Sequence, residues 1–336
     1  METKRTESRL GRFAALLKGR ARPRRSLALM MALVIVAVMS MATVVSADSY
    51  FTGQPPMTNF TGVVNGSIDV QFGNTWKSDN PIQWDNTTAN LTLAVDPSNV
   101  EIKFAVLKVV VYTANNTANW QGNETIKLDH GGTVETLANY EPLNLNYVNS
   151  SSGMVCNTSI SAPPFISQRN GLCRVMSDYV SYFDVKDYIT TQRINVSVLT
   201  GNVTDRFDGR VKEATLIYGW NVTSGTPTKT RYWINIGHDP STSFDDAYVG
   251  HSRFDGIPDY RYVMNATLYT NDISSSNGLY GWNGVSLTPT TIASNSYARI
   301  NRFFINNSTV SGDNDFRYDR SGTYYRIATV ILKLIY

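Results

Sequence analysis

The residues with the chemistry of a site gather in one stretch, His238, Asp239, Asp245, Asp246, His251 and Asp255. Imidazole nitrogens and carboxylate oxygens are ligands for zinc or calcium. Their spacing here matches no metal motif, so they read as a solvated loop. Asp313, Asn314, Asp315 and Asp319 resemble a calcium loop only loosely, lacking the glycine and the closing bidentate glutamate. A hydrolase needs a nucleophile oriented by a base, or paired carboxylates in a cleft. The chain has neither a G-x-S-x-G elbow nor an H-E-x-x-H pair. No catalytic, cofactor-binding or metal residue is therefore assigned, no cofactor is expected, and the chain reads as a non-enzyme. Six tryptophans, Trp76, Trp84, Trp120, Trp220, Trp233 and Trp282, offer stacking faces for sugars, although filling β-sandwich cores is the preferred reading.

The elements that would position these side chains are strands. The chain after residue 47 is rich in Asn, Thr, Ser, Tyr and Val; β-branched and aromatic residues suit pleated surfaces, and Asn, Gly and Ser suit the turns between them. Strands are expected at Ser67–Phe72, Ala89–Val95, Glu101–Thr113, Thr125–Leu128, Tyr179–Val185, Asn195–Leu199, Val211–Trp220, Arg231–Ile236, Arg261–Thr270, Ala298–Ile305 and Tyr324–Tyr336. Alternation such as Ile194, Val196 and Val198 against Asn195 and Ser197 marks a strand with one wet face. The almost continuously apolar Val106–Tyr112 and Ile327–Tyr336 should be central strands. Asp184–Thr191 allows one short helical turn, and no helical period appears elsewhere after the leader. Many short strands with Gly/Asn turns predict an all-β fold of sandwich or jelly-roll-like units.

A repeat divides the chain. Val109–Asn115, Trp120 and Asn123–Leu128 are echoed by Asn265–Asn271, Trp282 and Asn283–Leu287. Glu213–Tyr218 is echoed by Ile327–Leu332. Two related units in tandem are expected, 48–222 and 223–336, with a boundary near Asn221–Thr230 at Gly225-Thr226-Pro227.

Residues 1–47 read as an export signal. Nine basic residues and only Glu2 and Glu7 precede an uncharged stretch from Leu27 to Val45, followed by the small-residue site Val45-Ser46-Ala47. Cleavage after Ala47 is the preferred reading; an uncleaved anchor is the alternative, because this uncharged, largely apolar stretch of 19 residues approaches a bilayer span. Both put the rest of the chain outside the cell. Without the leader, 30 − 9 basic and 27 − 2 acidic residues leave 21 against 25, a formal net charge of −4. No basic face recommends a nucleic-acid partner. Membrane contact is confined to the N-terminal segment, if it stays uncleaved.

Two features fit an exported chain. Cys156 and Cys173 are an even pair, so a disulfide worth about 3 kcal/mol is expected, with two free thiols as the alternative. N-x-S/T sequons occur at Asn59, Asn65, Asn86, Asn90, Asn115, Asn123, Asn149, Asn157, Asn195, Asn202, Asn221, Asn265, Asn306 and Asn307, and several are expected to carry glycans.

Tyr182-Phe183-Asp184-Val185-Lys186-Asp187-Tyr188-Ile189, Asp208-Gly209-Arg210-Val211, Tyr232-Trp233-Ile234, and Phe72-Gly73 after Gly62-Val63-Val64-Asn65-Gly66 carry a family resemblance. The chain resembles a secreted methanogen family, the domain of unknown function numbered three-three-four-four, over most of residues 50–336. The resemblance implies an archaeal cell-surface β-protein and brings no catalytic residues. Ile217-Tyr218-Gly219-Trp220 departs from it, since the family typically continues Val-Tyr-Glu-Asp-Pro there.

Together these readings predict a structural subunit of an archaeal envelope: a surface layer, sheath or filament. Assembly is expected through strand edges, with self-association or other envelope proteins as partners. The apolar C-terminal strand is one candidate edge. A carbohydrate-binding or adhesion module on the cell surface, with glycans as partners, is the alternative, and a secreted hydrolase the remaining one.

Overall fold

A computed structural model describes residues 48–51, 54–73, 85–112, 120–151, 155–156, 170–175, 178–203, 207–239, 249–273, 278–320 and 326–336. The leader, Trp76, Trp84, Asn115, Asn157, Asp245 and Asp246 lie outside them. So do the side chains of Asn59, Trp120, Asn149, Cys156 and Cys173. Residues 47–336 form one compact unit.

The unit is all-β. In chain order the strands are β1 (Asp48–Phe51), β2 (Gln54–Gly73), β3 (Asn86–Thr92), β4 (Val100–Tyr112), β5 (Trp120–His130), β6 (Thr133–Ser151) and β7 (Val155–Cys156). Then come β8 (Asn170–Val175), β9 (Asp178–Asp184), β10 (Arg193–Asn202), β11 (Arg210–Val222), β12 (Lys229–Asp239), β13 (Gly250–Phe254) and β14 (Asn265–Ile273). The last are β15 (Gly278–Trp282), β16 (Val285–Leu287), β17 (Thr290–Ser294), β18 (Ala298–Ile305), β19 (Asn314–Arg320) and β20 (Ile327–Ile335). The helical turn expected within Asp184–Thr191 is the 3-10 turn Lys186–Tyr188.

Among the described residues three sheets result, with orders β1-β6-β5-β10-β3, β17-β18-β14-β20-β12-β2-β11-β4-β9-β8-β7 and β13-β19-β15-β16. The long sheet turns on β2. Gln54–Asn65 pairs with β12, and Gly66–Gly73 pairs with β11. Partners change at Gly66, where a Cβ would meet the carbonyl of Trp220, and Thr230 Oγ1 donates to the Gly66 carbonyl at 2.7 Å. Strands β3–β11 precede residue 223 and β12–β20 follow it, while β2 serves both sets.

Three cores separate four layers. Alternate residues of β4 and β11 (Leu107, Val109, Leu216, Tyr218) pack against Leu91, Ile126, Val196 and Val198 of the β3–β10–β5 sheet. Leu268, Phe303, Val330 and Leu332 pack against Phe254, Trp282, Phe316 and Tyr318 of the sheet β13-β19-β15-β16. Between these sandwiches, the two arms of the long sheet face each other across Phe60, Ile68, Val106, Val180, Ile217, Ile234, Tyr269 and Ile331. A strand covered on both faces needs apolar residues at nearly every position, which explains the continuous runs in β4 and β20. β4 lies between β11 and β9, and β20 between β12 and β14, as central strands. The C-terminal strand therefore has no free edge for a partner, contrary to the expectation for it. Its apolar character reflects burial on both faces. The free edge of that arm, among the described residues, is β17, whose Thr290, Thr291, Ile292 and Ser294 are exposed.

Candidate functional site

The densest set of ionisable side chains lies on the seam between the two arms of the long sheet. Asp178 opens β9, Lys212 is on β11, His238 is near the end of β12, and Arg326 immediately precedes β20. Lys212 Nζ donates to Asp178 Oδ1 at 2.6 Å, and Arg326 Nη1 donates to Asp178 Oδ2 at 2.6 Å. His238 Nε2 lies 3.1 Å from Asp178 Oδ2. Asp178 and His238 are fully buried. Burial works to raise the Asp178 carboxyl, but the Lys212 and Arg326 charges and the His238 hydrogen bond outweigh it and hold the group ionised, well below the usual carboxylate range. Burial brings Lys212 down to about 8 against the pull of Asp178. It brings His238 down to about 4, with the same carboxylate opposing. His238 is thus neutral at pH 7. A neutral imidazole can donate to a carboxylate through Nε2 only if its proton sits there, and Nδ1 is then left buried with no hydrogen bond among the described residues.

A second cluster lies beside it. Lys108 of β4 and Glu213 of β11 form a fully buried ion pair at 2.7 Å. Asn271 of β14, on the opposite arm, uses both ends of its amide: Oδ1 accepts from Lys108 Nζ, and Nδ2 donates to Glu213 Oε2 at 2.6 Å. Asp208 and Arg210 close the rim with a two-pronged pair at 2.6 and 2.8 Å. Arg210 also donates to the Tyr297 hydroxyl at 3.2 Å. Tyr112 lies under Lys212 at 4.6 Å and Arg210 at 5.1 Å. Burial, then Asp178 and Asp208, push its hydroxyl up to about 12.

A carboxylate orienting an imidazole is half of a nucleophile triad. Here the free imidazole nitrogen meets no hydroxyl or thiol among the described residues, and the carboxylate is committed to two cations. The arrangement fastens one sheet arm to the other. Isolated buried charges cost several kcal/mol each unless paired and hydrogen-bonded, so the links that cross, Arg326 and His238 to Asp178 and Asn271 to Lys108 and Glu213, favour one register of the arms.

The charged stretch read from the sequence comes apart on this strand geometry. Successive side chains of a strand point to opposite faces. His238 therefore faces Asp178, while Asp239 faces away and accepts from Tyr318 of β19 at 2.6 Å. His251 pairs with Asp315 at 2.9 Å on the exposed sheet surface, and Asp255 is exposed beyond β13. Asp313 accepts from the Gly256 amide at 3.0 Å, Asn314 Nδ2 donates to the Ser311 carbonyl at 2.8 Å, and Asp319 lies 3.8 Å from Arg317. These are turn and surface contacts. Among the described residues no three His, Cys, Asp or Glu side chains gather as a metal site. Trp220, Trp233 and Trp282 are buried in the cores.

Asp178, Lys108, Lys212, Glu213, Asn271 and Arg326 were not singled out by sequence reading. A signal existed: Lys108 interrupts an apolar run that reads as doubly buried, and a buried lysine needs a partner.

The cysteine backbones are Cα partners in the β7–β8 pair. Seven sequon asparagines are exposed, Asn65, Asn86, Asn90, Asn202, Asn265, Asn306 and Asn307, while Asn123, Asn195 and Asn221 are half-buried.

One further buried acid sits between the β3–β10–β5 sheet and the long sheet. Glu124 accepts from Ser181 Oγ, and burial, with Glu141 adding to it, pushes its carboxyl up to about 7. The unfolded carboxyl ionises near 4.5. The unfolded chain therefore releases this proton first as pH rises, and stability falls between about 4.5 and 7 before levelling off. Glu124→Gln should raise stability at pH 8 by about 3 kcal/mol or less and change it little at pH 4. Urea melts at the two pH values check this; an equal effect at both would contradict it.

Fold and seam define an all-β protein of two sandwiches whose facing arms are joined by the Asp178–Arg326 ion pair, the His238–Asp178 hydrogen bond and the Asn271 amide. The chain belongs to the family described as a protein of unknown function, DUF3344, which it matches over residues 49–335. No curated protein matches it. Among solved structures, a β-porphyranase of glycoside hydrolase family 86 from the human gut bacterium Bacteroides plebeius is similar at 10% identity and a TM-score of 0.27, covering 74% of this chain and 38% of that one. The chain thus spans well under half of that enzyme. PNGase F, a glycosylasparaginase from Flavobacterium meningosepticum, is similar at 10% identity and a TM-score of 0.23, covering 82% of this chain and 96% of that one. Likenesses this slight carry no argument about activity.

Proposed function

We propose that the chain is a non-enzymatic structural subunit of an extracellular layer of an archaeal envelope, exported by its N-terminal segment and assembling through strand edges. The observation that carries this reading is the seam. Buried polar groups at the seam, Asp178 with Arg326 and His238, and Asn271 with Lys108 and Glu213, tie two sandwiches into one body, as a load-resisting building block requires. The exposed sequons suit a surface address, and the family resemblance points the same way.

The assembly edge we favour is β17. Natural edges are blunted with charged residues, proline or bulges; Thr290–Ser294 carries neither charge nor proline, and its one irregularity is the register shift at Ile292. Concentrated mature protein should form oligomers or arrays in sedimentation and electron microscopy. Ile292→Lys, which places a charge on the edge, should cut that association at least about tenfold, as a loss of about 1.4 kcal/mol would. A chain that stays monomeric at high concentration and is scarce in isolated envelopes overturns the proposal.

Carbohydrate binding is the second reading. It shifts from tryptophan to exposed rings, since Tyr262 is 74% and Phe304 64% exposed. Glycan-array binding abolished by Tyr262→Ala would favour it over assembly.

A further inference from the structure

The sequons differ in whether the folded chain leaves their amides available. Asn221 is engaged at both ends: Oδ1 accepts from the Asn65 backbone amide at 2.7 Å, and Nδ2 donates to Glu101 Oε2 at 3.1 Å. Asn307 Nδ2 donates to the Val263 carbonyl at 3.1 Å. A sugar on either nitrogen takes one of its two N–H groups and must be fitted beside the Glu101 carboxylate or the Val263 carbonyl. Asn90 is different. β3 alternates strictly, with Asn86, Thr88, Asn90 and Thr92 outward, and no hydrogen bond engages the Asn90 side chain among the described residues. Asn195 of β10 is its direct cross-strand partner on the same outer face. The opposite outer layer, β13-β19-β15-β16, carries no sequon on its strands.

We propose that the outer face of the β3–β10–β5 sheet is the glycan-bearing face of the molecule, with Asn90 as its acceptor, and that Asn221 and Asn307 remain bare. The donor is a glycosyl phosphate. Asn90 Nδ2 attacks the anomeric carbon, the new C–N bond forms as the C–O bond to phosphate breaks, the nitrogen gives up one proton, and the phosphate carrier leaves. Directly opposed residues of an antiparallel pair have Cβ atoms about 5 Å apart, so a glycan on Asn90 covers Asn195 and the two are not occupied in the same molecule. One layer is then sugar-coated, and the opposite layer is free to meet neighbours.

The inference rests on the exported reading. Glycopeptide mass spectrometry on the full chain, purified from cells that produce it, tests it. The expected result is a glycan on the Asn90 peptide, bare Asn221 and Asn307, and no molecule carrying sugar on both Asn90 and Asn195. Thr92→Ala, which breaks the sequon and keeps Asn90, should remove that glycan while leaving the thermal midpoint within about 2 °C. Sugar on Asn221 or Asn307 with Asn90 bare, or a chain with no sugar, overturns the inference. A sugar-free chain recovered in envelopes sinks only this inference; a chain glycosylated at Asn90 but monomeric and scarce in envelopes sinks only the structural reading.

Discussion

Asp178→Ala is expected to lower the stability of the folded chain by about 3–5 kcal/mol. The substitution removes the only anion shown between Lys212 and Arg326 and leaves both cations beside the fully buried His238. Lys212 and Arg326 are slightly exposed at the rim, with side chains 11% and 15% accessible, so some relaxation toward water is available and the lower half of the range is the expected result. Asp178→Asn keeps the shape and loses the charge. It should cost nearly as much, because an amide cannot neutralise two cations. Guanidinium denaturation checks both variants. A loss under about 1 kcal/mol would mean that the seam behaves as a surface salt bridge does.

The second large effect concerns Lys108 and Glu213. Either Lys108→Met or Glu213→Gln strands a partner with no access to solvent, and each should cost about 3 kcal/mol or more. The double variant has no buried charge left in this pair. The glutamine amide introduced by Glu213→Gln can still accept from Asn271 Nδ2 and donate to its Oδ1, so the hydrogen-bonding side of the cluster survives. The double variant is therefore expected to recover at least half of the summed losses, since replacing a whole buried pair is often neutral while breaking it is not. A double-mutant cycle by denaturant titration reads this coupling directly. Strict additivity would contradict the pairing.

Much of the fold was legible because alternation and burial leave local marks. β10 and β3 show the two-residue period of a strand with one wet face, and the runs in β4 and β20 announce strands covered on both sides. β6 escaped because Glu135, Glu141 and Pro142 break its pattern, and Pro142 is tolerated within a long, irregularly paired strand. The role of β2 was not legible either. Which strand pairs with which is set by contacts between residues such as Gly66 and Thr230, far apart in the chain, and no local period records them.

The site was harder still. Proximity along the chain grouped His238 with Asp239, yet adjacent strand residues face opposite layers, so the two serve different cores. The true partners come from five separate strands and the residue before β20. The one local trace was a charge inside an apolar run, Lys108, whose burial demanded a counter-ion that the sequence does not identify.

The central claim is that this doubly sandwiched body serves as a repeating subunit outside the cell. Immunogold imaging of native envelopes with an antibody to residues 48–336 tests it most directly. The account predicts label over a continuous coat or along filaments. Scattered spots, or label confined to the cell interior, would contradict it.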